Sequence, residues 1–421
     1  MKRIKLILFS LFLTFFLIGC STKEGNNDNS QLKDEILDVT SDNANDSENG
    51  SDSDVDIPND NSSSNNESSS NTTDTNITIR DISSAELVKE MNIGWSLGNT
   101  LDATGGFMLS SEISWGNPTT KKEMITAVKE AGFNVIRLPI TWQNHMGPAP
   151  KYLLHSNWLD RVQEVVDYAI ENEMFVIINL HHEEWYYPSY DNLDTAKTQL
   201  MTVWSQIAER FKDYDEHLIF EAMNEPRMVG TSVEWTGGNA EAHDVINQLN
   251  AAFVTMMRKS TTGNNPFRHL MLPTYAASSG SSVLSNFVVP EDDKVIVSVH
   301  AYTPYNFALN KSGTSSFDSS NSADIKDIIS LFESLDSHFI QKGVPVILGE
   351  FGAMNKENLE DRINWAEFYV KTATSYGIPC IWWDNGAFTG DGENFGLLNR
   401  RELSWEYPEI VDALMKGLAT E

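Results

Sequence analysis

The chain has 421 residues, of which 40% are hydrophobic and 11 are tryptophan, enough apolar surface for one large folded domain or two ordinary ones. Sixty acidic residues against 30 basic ones give a formal net charge of −30 at pH 7. Such acidity argues against nucleic acid and anionic membrane surfaces as partners, whereas a neutral substrate is compatible with it.

The first twenty residues are typical of a bacterial export signal. Lys2, Arg3 and Lys5 precede the short apolar run IKLILFSLFLTFFLIG, which ends at Cys20. The final LIGC resembles a lipobox, in which Cys20 is lipidated and becomes the mature N-terminus. An ordinary signal peptide or an uncleaved anchor with an incidental cysteine is the alternative. We therefore expect an extracellular or cell-surface lipoprotein, held to the membrane only by its N-terminal lipid.

Residues 21–78 have the composition of a disordered spacer. They consist mainly of Ser, Asn and Asp, as in NDNSSSNNESSSNTTDTN, and contain almost no large apolar residue. Such a segment cannot bury enough apolar surface to offset its chain entropy, and its negative charges repel one another. We expect residues 1–20 to be the signal peptide, residues 21–78 the linker, and residues 79–421 a single folded domain.

After residue 79, short apolar runs alternate with segments of helical periodicity. In WLDRVQEVVDYAIENE, at 158–173, the apolar residues recur at helical spacing, and KKEMITAVKEAG behaves likewise. The runs that resemble strands are NIGWSL (92–97), NVIRLPI (134–140), FVIINLHH (175–182), LIFEAMNE (218–225), HLMLPT (269–274), KVIVSVHAY (294–302), VPVILGEFG (344–352) and CIWWDNG (380–386). A strand followed by a helix, repeated, predicts a parallel sheet.

The spacing of these eight runs favours a closed (β/α)₈ barrel, the TIM-barrel fold, over an open sheet. Most successive runs are separated by similar distances, but Leu272 and Val297, in the fifth and sixth runs, are only 25 residues apart. The intervening SSVLSNF has room for only a short helix. The first run is followed by GWSLGN rather than GxGxxG, which disfavours a nucleotide-binding fold.

Two glutamates stand at the ends of strands that face each other across the mouth of such a barrel. Glu225 ends the fourth run and Glu350 the seventh. Cleavage of a glycosidic bond needs such a pair, one carboxyl to protonate the leaving oxygen and one ionised group at the anomeric carbon. Arg137 and Tyr302 end other strands and are expected to favour the charged form of Glu350. Asn224, beside Glu225, could donate to a sugar hydroxyl.

Other acidic and histidine residues have less specific interpretations. Glu221, four residues before Glu225, is expected to be a buried structural carboxylate inside the barrel. The sequence HHEE at 181–184 invites a metal site, but successive strand residues point to opposite faces and no HExxH helix follows. We therefore expect neither a metal nor an organic cofactor.

Several motifs resemble glycoside hydrolase family 5, a retaining (β/α)₈ family. They are NEP on the fourth strand, VILGEFG on the seventh, RLPITW on the second, NLHHE on the third and HAY on the sixth. GWSLGNTLDA, SWGNPTT and IWWDNG resemble the bacterial subfamily 4 of endo-β-1,4-glucanases, lichenases and xyloglucanases. The resemblance spans roughly residues 85–415. One departure is Ile113, at a place where a polar residue is expected.

The resemblance implies a role for each matching residue. Glu225 matches the acid/base and Glu350 the nucleophile of a double displacement that retains configuration at the anomeric carbon. The positions that match substrate-binding residues are Arg137, His181, Asn224, His300, Tyr302 and Trp383. His182 could be confused with His181, and Trp382 with Trp383, but alternation along a strand brings only one of each pair into the mouth.

Three further positions are predicted from their place in loops. Trp185, in the EEWYYP loop after the third strand, is expected to stack on a sugar. Asn99 follows the first strand and His145 the second. For each of them, one interpretation is binding of the sugar next to the cleavage point, and the other is bracing of a loop. The resulting expectation is a monomeric endo-β-1,4-glucanase acting on cellulose or mixed-linkage glucan. The alternatives are a xyloglucanase or mannanase on the same scaffold, or a catalytically silent glycan-binding lipoprotein.

Overall fold

The structure of the protein is a computed structural model that describes residues 79–419. The predicted signal peptide, Cys20 and the predicted linker up to residue 78 lie outside the described residues. Among the helices of residues 79–419, none has the length and apolar character needed to cross a membrane.

Eight parallel strands close into a barrel, in which each strand pairs with the next and the eighth pairs with the first. They are β1 Ile93–Leu97, β2 Val135–Leu138, β3 Phe175–Asn179, β4 Leu218–Glu221, β5 Leu270–Ser278, β6 Val295–His300, β7 Val346–Phe351 and β8 Cys380–Asp384. Each strand lies within or overlaps one of the eight predicted runs, so the predicted fold is confirmed. Two short strands, β9 Leu398–Asn399 and β10 Ser404–Trp405, pair with each other outside the barrel.

Helices pack on the outside of the sheet between successive strands, except for the first, which precedes β1, and the last, which follows β8. The α-helices are α1 Ser84–Leu87, α2 Lys122–Glu130, α3 Ser156–Ile170, α4 Tyr190–Arg210, α5 Ala240–Arg258, α6 Ser281–Asn286, α7 Tyr305–Ala308, α8 Ser322–His338, α9 Leu359–Ser375 and α10 Pro408–Gly417. Short 3₁₀ turns occupy Val88–Glu90, Met108–Ile113, Gln143–His145, Glu184–Tyr186, Asn265–Phe267 and Ile340–Lys342. The short step between β5 and β6 holds the six-residue α6, as the sequence predicts.

Alternation along the strands separates an inner and an outer layer of side chains. On β2, Val135 belongs to an apolar cluster inside the barrel, Ile136 packs in the larger core that includes the helices, and Arg137 again points inward. On β8, Ile381 lies in the inner cluster and Trp382 in the outer core. The mouth therefore receives every second residue of a regular strand.

The N-terminal segment closes the opposite end of the barrel. Leu87, Val88 and Met91 are buried against the first inward-pointing residues of the strands. Those strand residues are Val135, Phe175, Ile177, Ile219, Met271, Ile296, Ile347 and Ile381. The floor is thus apolar, and the polar inward-pointing residues lie above it toward the mouth.

Strand β7 departs from regular alternation where it carries Glu350. Val299 pairs with Leu348, yet His300 pairs with Glu350, so the register shifts by one residue between these pairs. A second shift separates the pairs that β7 makes with β8. Such irregularities re-aim side chains at barrel rims. Here the shift turns Glu350 into the mouth, although Ile347, three residues earlier, also points inward.

Candidate active site

Glu225 and Glu350 meet at the carboxyl-terminal mouth of the barrel. Glu225 lies four residues beyond β4, and Glu350 lies on β7. One carboxylate oxygen of each lies within 4.8 Å of the other, and both lie within that distance of a ring nitrogen of His300. Carboxylates of retaining glycosidases are separated by about 5 Å, and those of inverting enzymes by about 6.5–9.5 Å. The short separation fits a direct attack by one carboxylate on the sugar.

Glu350 is held by two donors from other strands. The Nη1 of Arg137 donates to its Oε1 at 2.8 Å, and the hydroxyl of Tyr302 donates to its Oε2 at 2.9 Å. Burial, followed by the negative charge of Glu350, raises the pKa of Tyr302 well above its ordinary value, so the hydroxyl keeps its proton and donates. Charge-assisted bonds of this kind stabilise a carboxylate anion. Both predicted partners of Glu350 are therefore in contact with it.

Arg137 is fully buried and links three groups at the mouth. Besides Glu350, its guanidinium donates to Glu221 Oε2 at 2.8 Å and to Asn224 Oδ1 at 2.7 Å. Glu221 also accepts from Asn179 and Ser298, so it is a satisfied structural carboxylate, as predicted. Because Asn224 uses its oxygen for Arg137, its amide nitrogen remains the group that can donate to a substrate hydroxyl.

Glu225 forms a close pair with His300 of β6. His300 Nδ1 lies 2.7 Å from Glu225 Oε1 and 3.5 Å from Glu350 Oε2. Burial raises the pKa of Glu225, but the hydrogen bond from His300 and the charge of Arg227 outweigh it, so that pKa lies below its usual value. Burial lowers the pKa of His300, but the charges of Glu350 and Glu225 reverse this and raise it. The pair therefore holds its proton on His300, beside an ionised Glu225.

Of Trp382 and Trp383, only the second reaches the mouth, as alternation predicts, whereas His181 and His182, which follow the end of β3, both line the cleft. Trp382 is completely buried in the core, whereas Trp383 points to the mouth, where it stacks with His181 at a centroid distance of 5.8 Å. His181 Nδ1 accepts a hydrogen bond from the amide nitrogen of Asn179 at 3.1 Å, so Nε2 carries the hydrogen of the neutral ring, and His181 lines the cleft. Burial lowers the pKa of His181 well below its ordinary value, so the ring is neutral. His182 also lines the cleft and lies 3.8 Å from Asp102.

His145 and Trp185 are held by protein groups. His145 is 1% exposed, stacks on Trp158 at 3.8 Å and bonds through Nε2 to Ser111 Oγ at 3.0 Å, which favours the loop-bracing interpretation. The indole of Trp185 is half-buried and donates to Glu183 Oε2 at 2.6 Å.

Asn99 has a positive φ of 56° and follows β1. Its backbone carbonyl accepts from Asn117, and its backbone N–H donates to Asp102. These bonds fix the loop at the end of β1. Substrate contact by Asn99 and Trp185 stays a prediction.

Two charged residues of the site were not predicted. The carboxylate of Glu183 is buried and accepts the backbone N–H groups of Trp142 and Gln143, which ties the loop after β2 to the loop after β3. Burial raises its pKa to about 7. Arg227 lies 3.6 Å from Glu225. The motif NEPR places Arg227 two residues after Glu225, and this closeness is the sequence feature that could have indicated it.

A cavity of about 650 Å³ opens beside Glu225 and His181. Its remaining lining comes from the loops that follow β1 to β4, namely Thr104, Trp115, Gln143, Asn144, His182, Glu183, Glu184, Tyr186, Tyr187, Arg227 and Val229. Aromatic faces and amide groups are what sugar rings and hydroxyls contact in proteins.

Comparison with known proteins agrees with this geometry. The family model described as cellulase (glycosyl hydrolase family 5) matches residues 99–389. Endoglucanase B of Ruminococcus albus is 51% identical over 348 residues, which cover 82% of this chain and 83% of that protein. Endoglucanase B of Neocallimastix patriciarum is 50% identical, covering 81% and 73%.

Among solved structures, a broad-specificity GH5-4 endoglucanase from Ruminococcus champanellensis with bound cellotriose superposes with a TM-score of 0.78. It is 51% identical and covers 80% of this chain and 99% of that one. The fold, the paired carboxylates and these matches agree: the chain is a glycoside hydrolase and belongs to glycosyl hydrolase family 5, the cellulase family.

Proposed function

We propose that the protein is an endo-β-1,4-glucanase that hydrolyses cellulose chains or mixed-linkage β-glucan with retention of configuration. The observation that carries the proposal is the pair Glu225 and Glu350, with carboxylate oxygens within 4.8 Å of each other beside an open cleft that Glu225 lines. Relatives at about half identity over most of the chain are named endoglucanases, which supports the same substrate class.

In the first step, Glu350 is the nucleophile. One of its carboxylate oxygens bonds to the anomeric carbon while the glycosidic C–O bond breaks, and Glu225 gives its proton to the departing oxygen. The donors Arg137 and Tyr302 hold Glu350 as an oriented anion before the attack. The proton that leaves with the aglycone comes from the pair that Glu225 forms with His300.

In the second step, Glu225 is the base. It takes a proton from water, the water oxygen bonds to the anomeric carbon, and the bond between the sugar and Glu350 breaks. The sugar leaves with its original configuration, and Glu225 is protonated again for the next cycle. The neutral ring of His181 and the face of Trp383, which stack together, form one wall for the sugar at the cleavage point.

The proposal is tested by assaying the purified protein on carboxymethyl-cellulose, barley β-glucan, xyloglucan and mannan. We expect Glu225→Gln and Glu350→Gln to lower the rate by at least about 10²-fold, the usual contribution of such groups. Glu209→Gln, at an exposed ion pair with Lys212, is the matched control and should retain the rate.

The substrate panel also separates the alternatives. Higher rates on xyloglucan or mannan than on carboxymethyl-cellulose and barley β-glucan would move the assignment to those polymers. A folded protein that is inactive on all four, or variants of Glu225 and Glu350 that keep full activity, would instead favour a glycan-binding lipoprotein.

We also propose that the mature chain is anchored to the cell surface by a lipid on Cys20. The proposal rests on the basic start, the apolar run and the terminal LIGC of the first twenty residues. Growth of the expressing bacterium with labelled palmitate should label the protein, and Cys20→Ser should abolish the label. An unlabelled wild-type protein, or one released into the medium, would contradict the anchor.

A further inference from the structure

The mechanism above assigns no role to Arg227, a charged residue of the cleft. It lies beside Glu225 and lines the same cavity. Its Nη1 donates to the backbone carbonyl of Glu225 at 3.1 Å and lies 3.6 Å from the carboxylate oxygen Oε2. The guanidinium is therefore tied to the backbone of the acid/base and close to its side chain.

The two oxygens of Glu225 have different neighbours. Oε1 is engaged by His300 at 2.7 Å, whereas Oε2 faces Arg227 at a distance too long for a hydrogen bond. Because no donor occupies Oε2 on this side, that oxygen can still exchange a proton with a sugar oxygen or with water. Arg227 acts on it through charge alone.

The guanidinium is fixed from two further directions. Its Nε donates to Glu234 Oε1 at 3.1 Å, and Oε2 of the same carboxylate accepts the backbone N–H of Gly230 at 2.8 Å. The ring of Trp235 lies against the guanidinium, with its centroid 4.3 Å from the central carbon. Contact between a guanidinium and the face of an indole ring is attractive. Arg227 is thus preorganised rather than free to follow its partner.

Other charges surround Glu225, so the effect of Arg227 must be separated from theirs. The ionisable groups that face or electrostatically influence this carboxyl from the neighbouring elements are Arg137, His182, Tyr186, His300, Tyr302, Glu350 and Glu393. During turnover Glu350 loses its negative charge when it becomes an ester, so it no longer opposes the cations. In that intermediate the cations dominate the surroundings of Glu225.

We propose that Arg227 is a positioning residue for the acid/base, holding the Glu225 carboxylate as an anion with Oε2 free in the step that activates water. The inference rests on the proposed retaining mechanism. A fixed cation a few ångströms from a carboxylate favours its charged form, and the lack of a direct hydrogen bond leaves the basic lone pair available. Arg227 thereby assists the second step, in which a protonated Glu225 could not accept a proton from water.

The second step can be isolated with a dinitrophenyl β-cellobioside. Departure of dinitrophenolate needs no acid, so hydrolysis of the covalent intermediate limits kcat, whereas kcat/KM reports the first step. The acid limb of the kcat–pH profile then follows the protonation of Glu225 in the intermediate. Removing the cation should move this limb to higher pH.

Three variants separate charge from shape. Arg227→Met keeps the length and loses the charge; we expect the acid limb to move up by about one pH unit, a tenfold loss of kcat on the acid side, with kcat/KM nearly unchanged. Arg227→Lys keeps the charge and should retain the wild-type limb. Arg210→Met removes an arginine that pairs with Asp160 on the outer helices and is the matched control, with an unmoved profile.

Each outcome decides the proposal. An unmoved acid limb in Arg227→Met overturns it, whatever the overall rate, and so does a Lys variant that shifts like Met. If Arg227→Met does not fold, Arg227→Gln, which is also uncharged but can still donate to the backbone carbonyl of Glu225, decides by the same shift or by its absence. Failure of the proposed function is distinguishable, because the wild-type protein would then show no burst of dinitrophenolate followed by slower turnover.

Discussion

At the scale of single residues, strand alternation chose correctly between Trp382 and Trp383, because successive side chains of a strand point to opposite faces. It failed for His181 and His182, which both line the cleft, because they lie beyond the end of β3. The contacts of Arg227 could not be predicted this way, since it lies in a loop behind Pro226 where alternation gives no direction. Its partners Glu234 and Trp235 are brought to it only by the fold.

The hydroxyl of Tyr302 provides a residue-scale test of how Glu350 is held. Tyr302→Phe removes the bond to Glu350 Oε2 and keeps the ring that packs against Phe395. A hydrogen bond to a charged group contributes about 1.5–3 kcal/mol. We therefore expect kcat on β-glucan to fall by about one to two orders of magnitude, while the thermal midpoint of unfolding changes little.

The control for this change is Tyr168→Phe, because that hydroxyl also donates to a glutamate, Glu164, at 2.6 Å, but on the surface of α3. It should leave kcat unaltered. Equal rates for the wild type and Tyr302→Phe would show that Arg137 alone is sufficient to hold Glu350.

At the scale of elements, the period of apolar residues predicted which segments are strands and which are helices, but local irregularities escaped it. Strand β5 continues to Ser278, beyond the predicted end at residue 274. Its last part carries Ala276 and Ala277 at positive φ, a conformation that neither residue signals in a sequence.

The register shift of β7 has the same character. With regular alternation, Glu350, three residues after Ile347, would point to the opposite face from it. The register shifts of β7 against its neighbours interrupt that alternation. The sequence singled out Glu350 from its place at the end of the seventh run and from the family motif, whereas a period of two would not have pointed it inward. Placement of Glu350 therefore depends on a departure from the pattern that predicted the barrel.

At the scale of the whole molecule, the barrel has an apolar floor and a polar mouth, and buried titratable groups occur at both ends. Near the mouth, burial lowers the pKa of His145 to about 4; near the floor, burial lowers that of His269 to about 3. Burial raises the pKa of Asp102 to about 6 and that of Glu183 to about 7. These shifts have opposite consequences for stability in the same pH range.

The two histidines are neutral in the folded protein and become charged on unfolding below pH 6.5. Their contribution to stability is complete above pH 6.5 and is lost as the pH falls toward 4, by about 1.4 kcal/mol per pH unit for each. Asp102 and Glu183 stay protonated in the folded state, so their contribution is lost as the pH rises from about 4 to their folded pKa values. In the wild-type protein the two effects on the free energy of unfolding partly cancel. The contribution of one group is therefore isolated only by comparing the pH dependence of a variant with that of the wild type.

His145→Phe provides that difference, because phenylalanine can still stack on Trp158 but cannot be protonated. Its loss of the bond to Ser111 costs a fixed amount at every pH. From urea unfolding between pH 4.5 and 6.5, we expect the free energy of unfolding of the variant to rise relative to wild type by about 1.4 kcal/mol for each unit that the pH is lowered. Because His269 lies at the other end of the barrel, a second substitution there, His269→Gln, should add its own slope independently. A difference between His145→Phe and wild type that does not change with pH would mean that His145 is protonated in the folded protein, and the buried stack with Trp158 would then have to accommodate a cation.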